Sequence, residues 1–151
     1  MDTIRLVNVA FAPDRELDYF VTGLWDAGAV ASFVGIARPT TAAGDPLELL
    51  FVDHHPRLTR RSLETVAAAA RDRFDITAIR LIHRYGDILP SEPIVFVAAA
   101  AEHRRQAFDA VDFIMDGLKS ITFFWKREDG SRGSAWIEPT AADLRSLMRW
   151  S

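Results

Sequence analysis

The chain has two lysines, Lys119 and Lys126, and they are the first residues whose type and spacing suggest chemistry. The other sixteen of its eighteen lysine and arginine residues are arginines, so arginine supplies almost all of the solvated positive charge. Arginine stays protonated in proteins, whereas a lysine amine can act as a nucleophile, a base or a Schiff-base former. Two lysines seven residues apart are therefore a candidate catalytic pair, although codon bias with two chance survivors would give the same composition.

The sequence around each lysine leaves two interpretations open. Lys126 follows an aromatic segment, residues 123–125, that could form an apolar wall and depress the pKa of its amine. It also precedes Arg127 and Glu128, as a lysine at a charged hairpin edge would. Lys119 ends a helical pattern, where a cation that complements the helix dipole is common.

Three further basic residues lie where an anion could bind. His103 and Arg104 begin a predicted helix directly after an apolar strand, and the N-terminal end of a helix favours an anion. Arg38 lies where a glycine-containing strand meets a loop, a good position for binding an anion through a guanidinium fork. A solvated helix start and a solvated loop arginine are the plain alternatives.

The composition excludes several other chemistries. Without cysteine the chain has no disulfide, thiolate metal site or cysteine nucleophile. His54 and His55 are adjacent and would point to opposite faces of a strand, while His83 stands alone and is typical of a satisfied core or edge histidine. Phosphate-loop, dinucleotide and serine-elbow motifs are absent. We therefore expect neither a metal nor a cofactor.

The charge and hydropathy narrow the class of partner. A net charge of -3 argues against non-specific nucleic-acid binding. No apolar run approaches the ~20 residues that a membrane-spanning helix needs, and no signal peptide is visible at the N-terminus. We expect a cytoplasmic protein with no nucleic-acid or membrane partner.

The elements that must position these residues alternate irregularly between strand and helix. This predicts one α+β domain over residues 1–151, with a mixed or antiparallel sheet and packed helices. Strands are predicted at residues 3–11, 29–37, 47–53, 77–85, 93–100 and 135–138. Helices are predicted from residue 13 to the break at 26–28, from 56 with a buried face reaching 74, over 102–118, and after a cap at Thr140.

Three local features carry their own predictions. Gly35 inside a strand predicts a bulge or a close backbone approach. Residues 94–97 are apolar on both faces and predict a central strand. Residues 38–46 contain Pro, Thr, Gly and Asp and predict a mobile loop, while Asp129 and Gly130 predict a turn.

Taken in order, these residues resemble the catalytic subunits of molybdopterin synthases over nearly the whole chain. The matching stretches are residues 28–30, 33–38, 55–56, 82–86, 92–97, 102–104, 107–108, 113–116, 118–120 and 124–128. Each stretch is weak alone, but their order and spacing together are specific. The resemblance implies an α/β-hammerhead-like fold.

The resemblance also implies an activity and an assembly. Such enzymes are sulfurtransferases that convert cyclic pyranopterin monophosphate into molybdopterin. Their sulfur arrives as a thiocarboxylate on the C-terminal Gly-Gly of a small ubiquitin-like subunit, which suits a chain that has no cysteine to carry it. The usual assembly is a heterotetramer built on a homodimer of large subunits, and some substrate contacts reach across that dimer.

The resemblance finally implies roles for individual residues. Lys119 and Lys126 match the two catalytic lysines, with Lys119 as a base or transient acyl acceptor beside the thiocarboxylate. Lys126 would stabilise charge that develops on the pterin or on the tail carbonyl. The residues that match substrate-binding positions are Ile36, Ala37, Arg38, His103, Arg104, Arg127 and Glu128.

Four departures from the family pattern leave alternatives open. Residues 39–41 replace an asparagine or acid after Arg38, Phe123 replaces a proline, Ile121 replaces an arginine, and Thr140 stands where some members have an arginine. These departures leave room for a non-catalytic scaffold subunit of the same fold. The lysines by themselves also leave room for an unrelated Schiff-base enzyme.

Overall fold

The computed structural model describes residues 2–120, 123–138 and 140–151, and these contain eight strands and four helices. The strands are β1 (Asp2–Val7), β2 (Ala29–Ile36), β3 (Leu47–His54), β4 (Ala78–Arg84), β5 (Gly86–Ile88), β6 (Pro93–Ala101), β7 (Phe124–Gly130) and β8 (Gly133–Ile137). The helices are α1 (Pro13–Thr22), α2 (Pro56–Arg73), α3 (Arg104–Ser120) and α4 (Ala141–Met148). No helix in these ranges is long and apolar enough to span a membrane.

In the described ranges the strands form two sheets of four strands each. The first has the order β1-β4-β6-β2 and is mixed, because β1 runs parallel to β4 while the other pairs are antiparallel. The second has the order β5-β3-β7-β8 and is antiparallel throughout. The predicted α+β class with mixed and antiparallel pairing is confirmed, and the division into two sheets is what the sequence pattern did not indicate.

Helices cover both faces of the first sheet. The α2 and α3 helices pack on one face, where Leu63 and Ile114 are fully buried. The α1 helix packs on the other face, where Phe20 meets Phe96 of β6. Because β6 lies between β4 and β2 and both its faces are covered, its apolar sequence is explained and the predicted central strand is confirmed.

Two N-terminal elements are shorter than predicted. The first strand ends at Val7 rather than at residue 11. Its parallel partner β4 ends at Arg84, the residue that pairs with Val7, so no further residues of β4 are available for pairing. The first helix ends at Thr22 rather than at 26–28. Gly23 closes it by donating its N–H to the carbonyls of Tyr19 and Val21.

The C-terminal hairpin also differs from the prediction. Residues 124–130 form the strand β7, and the turn predicted at Asp129 and Gly130 lies at residues 131–132 instead. The hairpin closes through the pair Gly130 and Gly133, and Gly133 has a φ of +130° that favours glycine. The charged run inside β7 concealed this strand, since Lys, Glu and Asp are poor strand formers.

Gly35 fulfils both parts of its prediction. The pairing of β2 with β6 shifts register between Gly35 and Ile36, which is the expected bulge. A Cβ atom on Gly35 would lie 2.6 Å from Cγ1 of Val95, so the backbone approach is also close. The bulge lies two residues before Ala37, at the point where the chain leaves the first sheet for the Arg38 loop.

The C-terminal helix α4 has a capping box at its N-terminal end and hydrogen bonds to α3 after its C-terminal end. Thr140 caps α4 as predicted, and its side chain and that of Asp143 form a reciprocal capping box. Beyond the helix, Asp116 of α3 accepts hydrogen bonds from Arg149 Nη2 at 2.6 Å and from Trp150 Nε1 at 2.7 Å. These contacts hold α4 against α3.

Candidate active site

Lys126 lies on β7 with apolar neighbours on both adjacent strands. It pairs with Val52 of β3 and with Ile137 of β8, and residues directly opposite each other share a face of the sheet. Phe124, two residues earlier on the same strand, lies on that face as well. Val52 is almost fully buried. The predicted apolar wall is therefore present, although β3 and β8 contribute to it as well as the aromatic segment.

This environment lowers the pKa of the Lys126 amine from 10.5 to about 8. Burial is the largest cause, because it disfavours the charged form, and the positive charges of Lys119 and Arg38 act in the same direction. Asp143 of α4 acts in the opposite direction. Two other predicted site residues, Lys119 and Arg38, thus act on Lys126, and about a tenth of the Lys126 amine is uncharged at pH 7.

Lys119 is presented differently from Lys126. It lies in the last turn of α3 and is exposed, while Ile114 and Leu118 of the same helix are anchored in the core. We call Lys119, Lys126 and Arg38 together the lysine cluster. It combines the Lys119 amine, which an incoming reactant can reach, with the Lys126 amine, which is partly withdrawn from water.

A buried histidine adjoins the cluster. His83 Nδ1 lies 2.9 Å from the Arg84 carbonyl oxygen, and its ring stacks on Phe124 with centroids 3.8 Å apart. Burial, followed by the charge of Lys126, lowers the pKa of His83 to about 3, so the ring is neutral at physiological pH. Because a carbonyl only accepts, Nδ1 carries the proton. The satisfied core histidine is confirmed, but no sequence pattern indicated that β4 places it beside Lys126.

The loop that follows Arg38 has a defined hydrogen-bond pattern. The Thr41 N–H donates to the Asp45 carbonyl at 2.7 Å, and Thr40 forms a β-bridge with Pro46. The Ala42 N–H donates to Glu128 Oε1 at 2.9 Å. Glu128, a predicted substrate-binding residue, thus ties this loop to β7.

The other predicted residues near Arg38 are exposed to different degrees. Ile36 is 53% exposed, so its side chain is available to a ligand or a partner. Ala37 is only 2% exposed, and its N–H and carbonyl are both used in bonds to the backbone of residues 91 and 92. Ala37 therefore acts through the backbone geometry that it gives to Arg38.

Arg127 does not face the lysine cluster. As the next residue after Lys126 on a strand, it points to the opposite face of β7. Its guanidinium pairs with Asp129 at 2.8 Å and lies 4.9 Å from the centre of the Phe51 ring. Contacts within one chain therefore do not bring Arg127 together with Lys126.

His103 and Arg104 are also distant from the lysines. Both are exposed at the start of α3, and His103 Nε2 lies 3.8 Å from a carboxylate oxygen of Glu102. Arg104 and Lys119 are fifteen residues apart on one helix, which corresponds to roughly 22 Å. A single chain therefore does not place these predicted phosphate-binding residues next to the lysines.

The residues that depart from the family pattern have structural contacts of their own. Phe123 is 40% exposed, and its carbonyl accepts a 2.7 Å hydrogen bond from the Thr59 hydroxyl. Thr140 caps α4. Ile121 lies outside the described residues. Phe123 and Thr140 therefore each take part in a hydrogen bond within the fold.

Two shallow grooves lie on the surface of the described chain. One of about 210 Å³ is lined by Leu58, Arg61, Ser62, Thr65 and Phe123. The other, of about 520 Å³, is lined by Asn8, Phe51, Val52, Asp53, His54, Tyr85, Gly86 and Asp87. Neither groove is lined by Lys119, Lys126 or Arg38, so neither encloses the lysine cluster.

The family, sequence and structure comparisons with known proteins all indicate the same family. The family described as "MoaE protein" matches residues 10–121. A molybdopterin synthase catalytic subunit from Caulobacter vibrioides is 43% identical over 147 residues, which cover 97% of this chain and 96% of the relative. A molybdopterin biosynthesis MoaE protein from Burkholderia ambifaria has a similar structure, with a TM-score of 0.83, 34% identity, and coverage of 99% of this chain and 98% of that one.

A more distant structure shares the fold alone. It is a complex of subunits 1 and 2 of the molybdopterin-converting factor from Helicobacter pylori, with 18% identity and a TM-score of 0.74 over 88% of each chain. The extent of the family match and the identity of the Caulobacter relative are decisive. The chain belongs to the MoaE family, the catalytic subunits of molybdopterin synthases.

Proposed function

We propose that this chain is a sulfurtransferase: the catalytic subunit that converts cyclic pyranopterin monophosphate into molybdopterin with sulfur from a thiocarboxylated partner. The observation that carries the proposal is the partly buried Lys126 amine, with its pKa lowered to about 8 beside Lys119 and Arg38. A chain that only held a partner in place would have no need to withdraw a lysine from water. Family membership supplies the reaction, and the amine pair supplies groups suited to it.

The cationic cluster suits the chemistry of a thiocarboxylate. An anionic tail would be attracted to Lys119 and Arg38, and its carbonyl oxygen would gain negative charge when the acyl carbon is attacked. The protonated Lys126 amine stabilises that charge, because a partly buried cation acts more strongly than one in water. The exposed Lys119 acts on the tail as a base or as a transient acyl acceptor.

The sulfur must come from outside the chain. The chain has no cysteine, so it cannot form a persulfide or carry a thiolate. We propose that a small ubiquitin-like subunit delivers one sulfur per C-terminal thiocarboxylate, so that a dithiolene requires two loaded partners. The sulfur forms a bond to a pterin carbon and replaces an oxygen substituent there, and water attacks the acyl carbon, so the acyl–sulfur bond breaks and the tail ends as a carboxylate. The molybdopterin-converting factor from Helicobacter pylori has a structure in which its subunits 1 and 2 form a complex.

The first experiment is a reconstitution with purified chain, thiocarboxylated small subunit and cyclic pyranopterin monophosphate. We expect molybdopterin from the parent chain, and a fall of about 100-fold or more from Lys119→Ala or Lys126→Ala. Arg60→Ala is the matched control, because Arg60 is an exposed cation that pairs only with Glu64 of its own helix among the described residues. It should retain the parent rate.

The rival functions predict different results in the same experiment. A scaffold subunit would bind the small subunit normally yet form no product. A Schiff-base enzyme would be inactivated by borohydride in the presence of a carbonyl compound and would not need the thiocarboxylate. Either result with folded parent chain would overturn the proposed function.

We further propose that each active site is built from two copies of the chain. The distance of roughly 22 Å along α3 separates Arg104 from Lys119 within one chain, so a substrate in contact with both needs Arg104 from a second copy. The assembly would be a homodimer of this chain with one small subunit bound to each copy.

Subunit mixing tests the shared site. Lys119→Ala and Arg104→Ala chains, each inactive alone, are unfolded together and refolded as a one-to-one mixture. Half of the dimers are then mixed and half of the sites in these carry both native residues, so roughly a quarter of the parent activity should return. If the mixture stays as inactive as either variant, Arg104 and Lys119 do not act across a dimer.

A further inference from the structure

The backbone on either side of Arg38 is fixed by hydrogen bonds. The Ala37 N–H donates to the Glu92 carbonyl at 2.9 Å, and the Ala37 carbonyl accepts from the Ser91 N–H at 2.8 Å. On the other side, the Pro39 carbonyl accepts from the Leu47 N–H at 2.9 Å. Arg38 is exposed, so a rigid backbone presents a side chain that is available to a ligand.

The turn that holds Ala37 has an unfavourable backbone conformation. Ser91 has a φ of +70°, which is uncommon for a residue with a side chain. Glu92 compensates, because its Oε1 accepts from the Leu89 N–H at 2.7 Å and its own N–H donates to the Leu89 carbonyl at 3.1 Å. The Glu92 carboxylate therefore stabilises the turn through which Ala37 is held.

A buried arginine fixes this carboxylate in turn. The Arg84 side chain is 8% exposed, and its Nη1 lies 3.3 Å from Glu92 Oε1 while its Nη2 donates to the Asp87 carbonyl at 2.9 Å. Neither its Nε nor its Nη1 makes a hydrogen bond in the described chain, so the Nη1 contact with Glu92 is an ion pair without a hydrogen bond. A buried guanidinium with so few partners depends strongly on its one carboxylate, since an unpaired buried charge is costly.

We propose that Arg84 and Glu92 are positioning residues that place the Arg38 guanidinium against the anionic group of the substrate. Arg84 orients the Glu92 carboxylate, the carboxylate holds the turn at residues 89–92, and the turn holds Ala37 by both backbone groups. Neither residue touches the substrate. The role in turnover rests on the proposed function, whereas the mechanical link from Glu92 to Ala37 stands without it.

A double-mutant cycle tests the link to Arg38. Glu92→Ala should raise the KM for cyclic pyranopterin monophosphate about 10-fold and change kcat less than about 2-fold, because a misplaced guanidinium weakens substrate binding. Glu92→Gln keeps an oxygen that can accept from the Leu89 N–H but removes the charge that pairs with Arg84, so its KM should lie between those of the parent and Glu92→Ala. In an Arg38→Ala background, Glu92→Ala should add nothing further to the KM.

Amide hydrogen exchange at Ala37 gives a readout that does not depend on turnover. Glu92→Ala should speed exchange of the Ala37 N–H about 10-fold or more at 25 °C while β6 amides keep their protection, and Glu92→Gln should speed it less than Glu92→Ala does. Unchanged exchange in Glu92→Ala would overturn the proposal, as would KM effects of Glu92→Ala and Arg38→Ala that multiply. If the parent chain forms no molybdopterin, the proposed function fails, and the exchange measurement still decides whether Glu92 fixes Ala37.

Discussion

At the scale of single residues, Lys126 is withdrawn from water by residues that are distant from it in the sequence. Its sequence neighbours suggested an apolar wall, but much of that wall comes from Val52 and Ile137 on adjacent strands. Lys119 and Arg38 add positive charge from a helix end and a loop. Residue type alone predicted the lysine pair. The depressed pKa of Lys126, in contrast, depends on contacts between residues that lie far apart along the chain.

Replacing Lys126 by methionine should stabilise the protein while it removes activity. At pH 7 the parent holds a protonated amine where the charge is disfavoured, so Lys126→Met should raise the free energy of unfolding by about 1–3 kcal/mol. Methionine fills a similar volume without a charge. Urea unfolding at pH 7 measures the gain, and Arg60→Met, an exposed substitution, should stay within about 0.5 kcal/mol of the parent.

The pH dependence of that gain has a defined sign. The pKa of Lys126 is about 8 in the folded chain and 10.5 without the fold, so between these values the unfolded state binds more protons. The stability of the parent therefore rises with pH across this window. The advantage of Lys126→Met should be full below pH 8 and lost by pH 10.5. An advantage that is the same at both pH values would mean that the amine is well solvated.

At the scale of elements, α4 contributes to the site although sequence reasoning assigned it no role. Its capping residue Asp143 raises the pKa of Lys126, so the first turn of α4 lies close to the amine. Sequence reasoning found the Thr140 cap, because a capping box is a local pattern. It did not find the docking of α4 on α3, because that depends on Arg149 and Trp150 meeting Asp116 across more than thirty residues.

Two aspartates on α3, Asp116 and Asp112, both pair with Arg149 but differ in exposure. Comparing their alanine variants distinguishes a specific docking contact of α4 from a surface charge effect. Asp116 is 14% exposed and accepts from both Arg149 and Trp150, whereas Asp112 is 53% exposed and, among the described residues, pairs only with Arg149, at 3.2 Å. We expect Asp116→Ala to cost about 2 kcal/mol of unfolding free energy and Asp112→Ala less than about 0.5 kcal/mol. Urea unfolding of the two variants measures the difference, and equal losses would contradict this account of the docking.

The predictions that succeeded and failed at this scale share a physical cause. Central β6 and helix α3 were predicted because a long apolar run and a helical stripe are properties of contiguous residues. The short strand β5 and the charged strand β7 were missed, because their stability comes from pairing with β3 rather than from their own composition. Sheet pairing is non-local, so sequence patterns alone could not locate the second sheet.

At the scale of the whole molecule, the two sheets meet at the candidate site. Phe124 of the second sheet packs against the core of the first sheet and also against that of the second, and its ring stacks on His83 of β4. Lys126 is two residues further along the same strand. The candidate site residues were predicted from the family resemblance, but the position of Lys126 at the junction of two sheets could not be, because nothing local in the sequence pairs residue 83 with residue 124.

The last prediction follows from this junction. If Phe124 couples the sheets, amides of β3 and β7 in the parent should exchange hydrogen by the same global opening as those of β4 and β6. Phe124→Ala should cost about 3 kcal/mol and make β3 and β7 exchange faster than β4 and β6, because the second sheet loses a ring that packs on the core of the first. Phe33→Ala, which removes a 41% exposed ring from β2, should keep all four strands together. If Phe124→Ala lowers protection equally in both sheets, the coupling is spread over other contacts, and the lysine site does not depend on this one ring for its alignment.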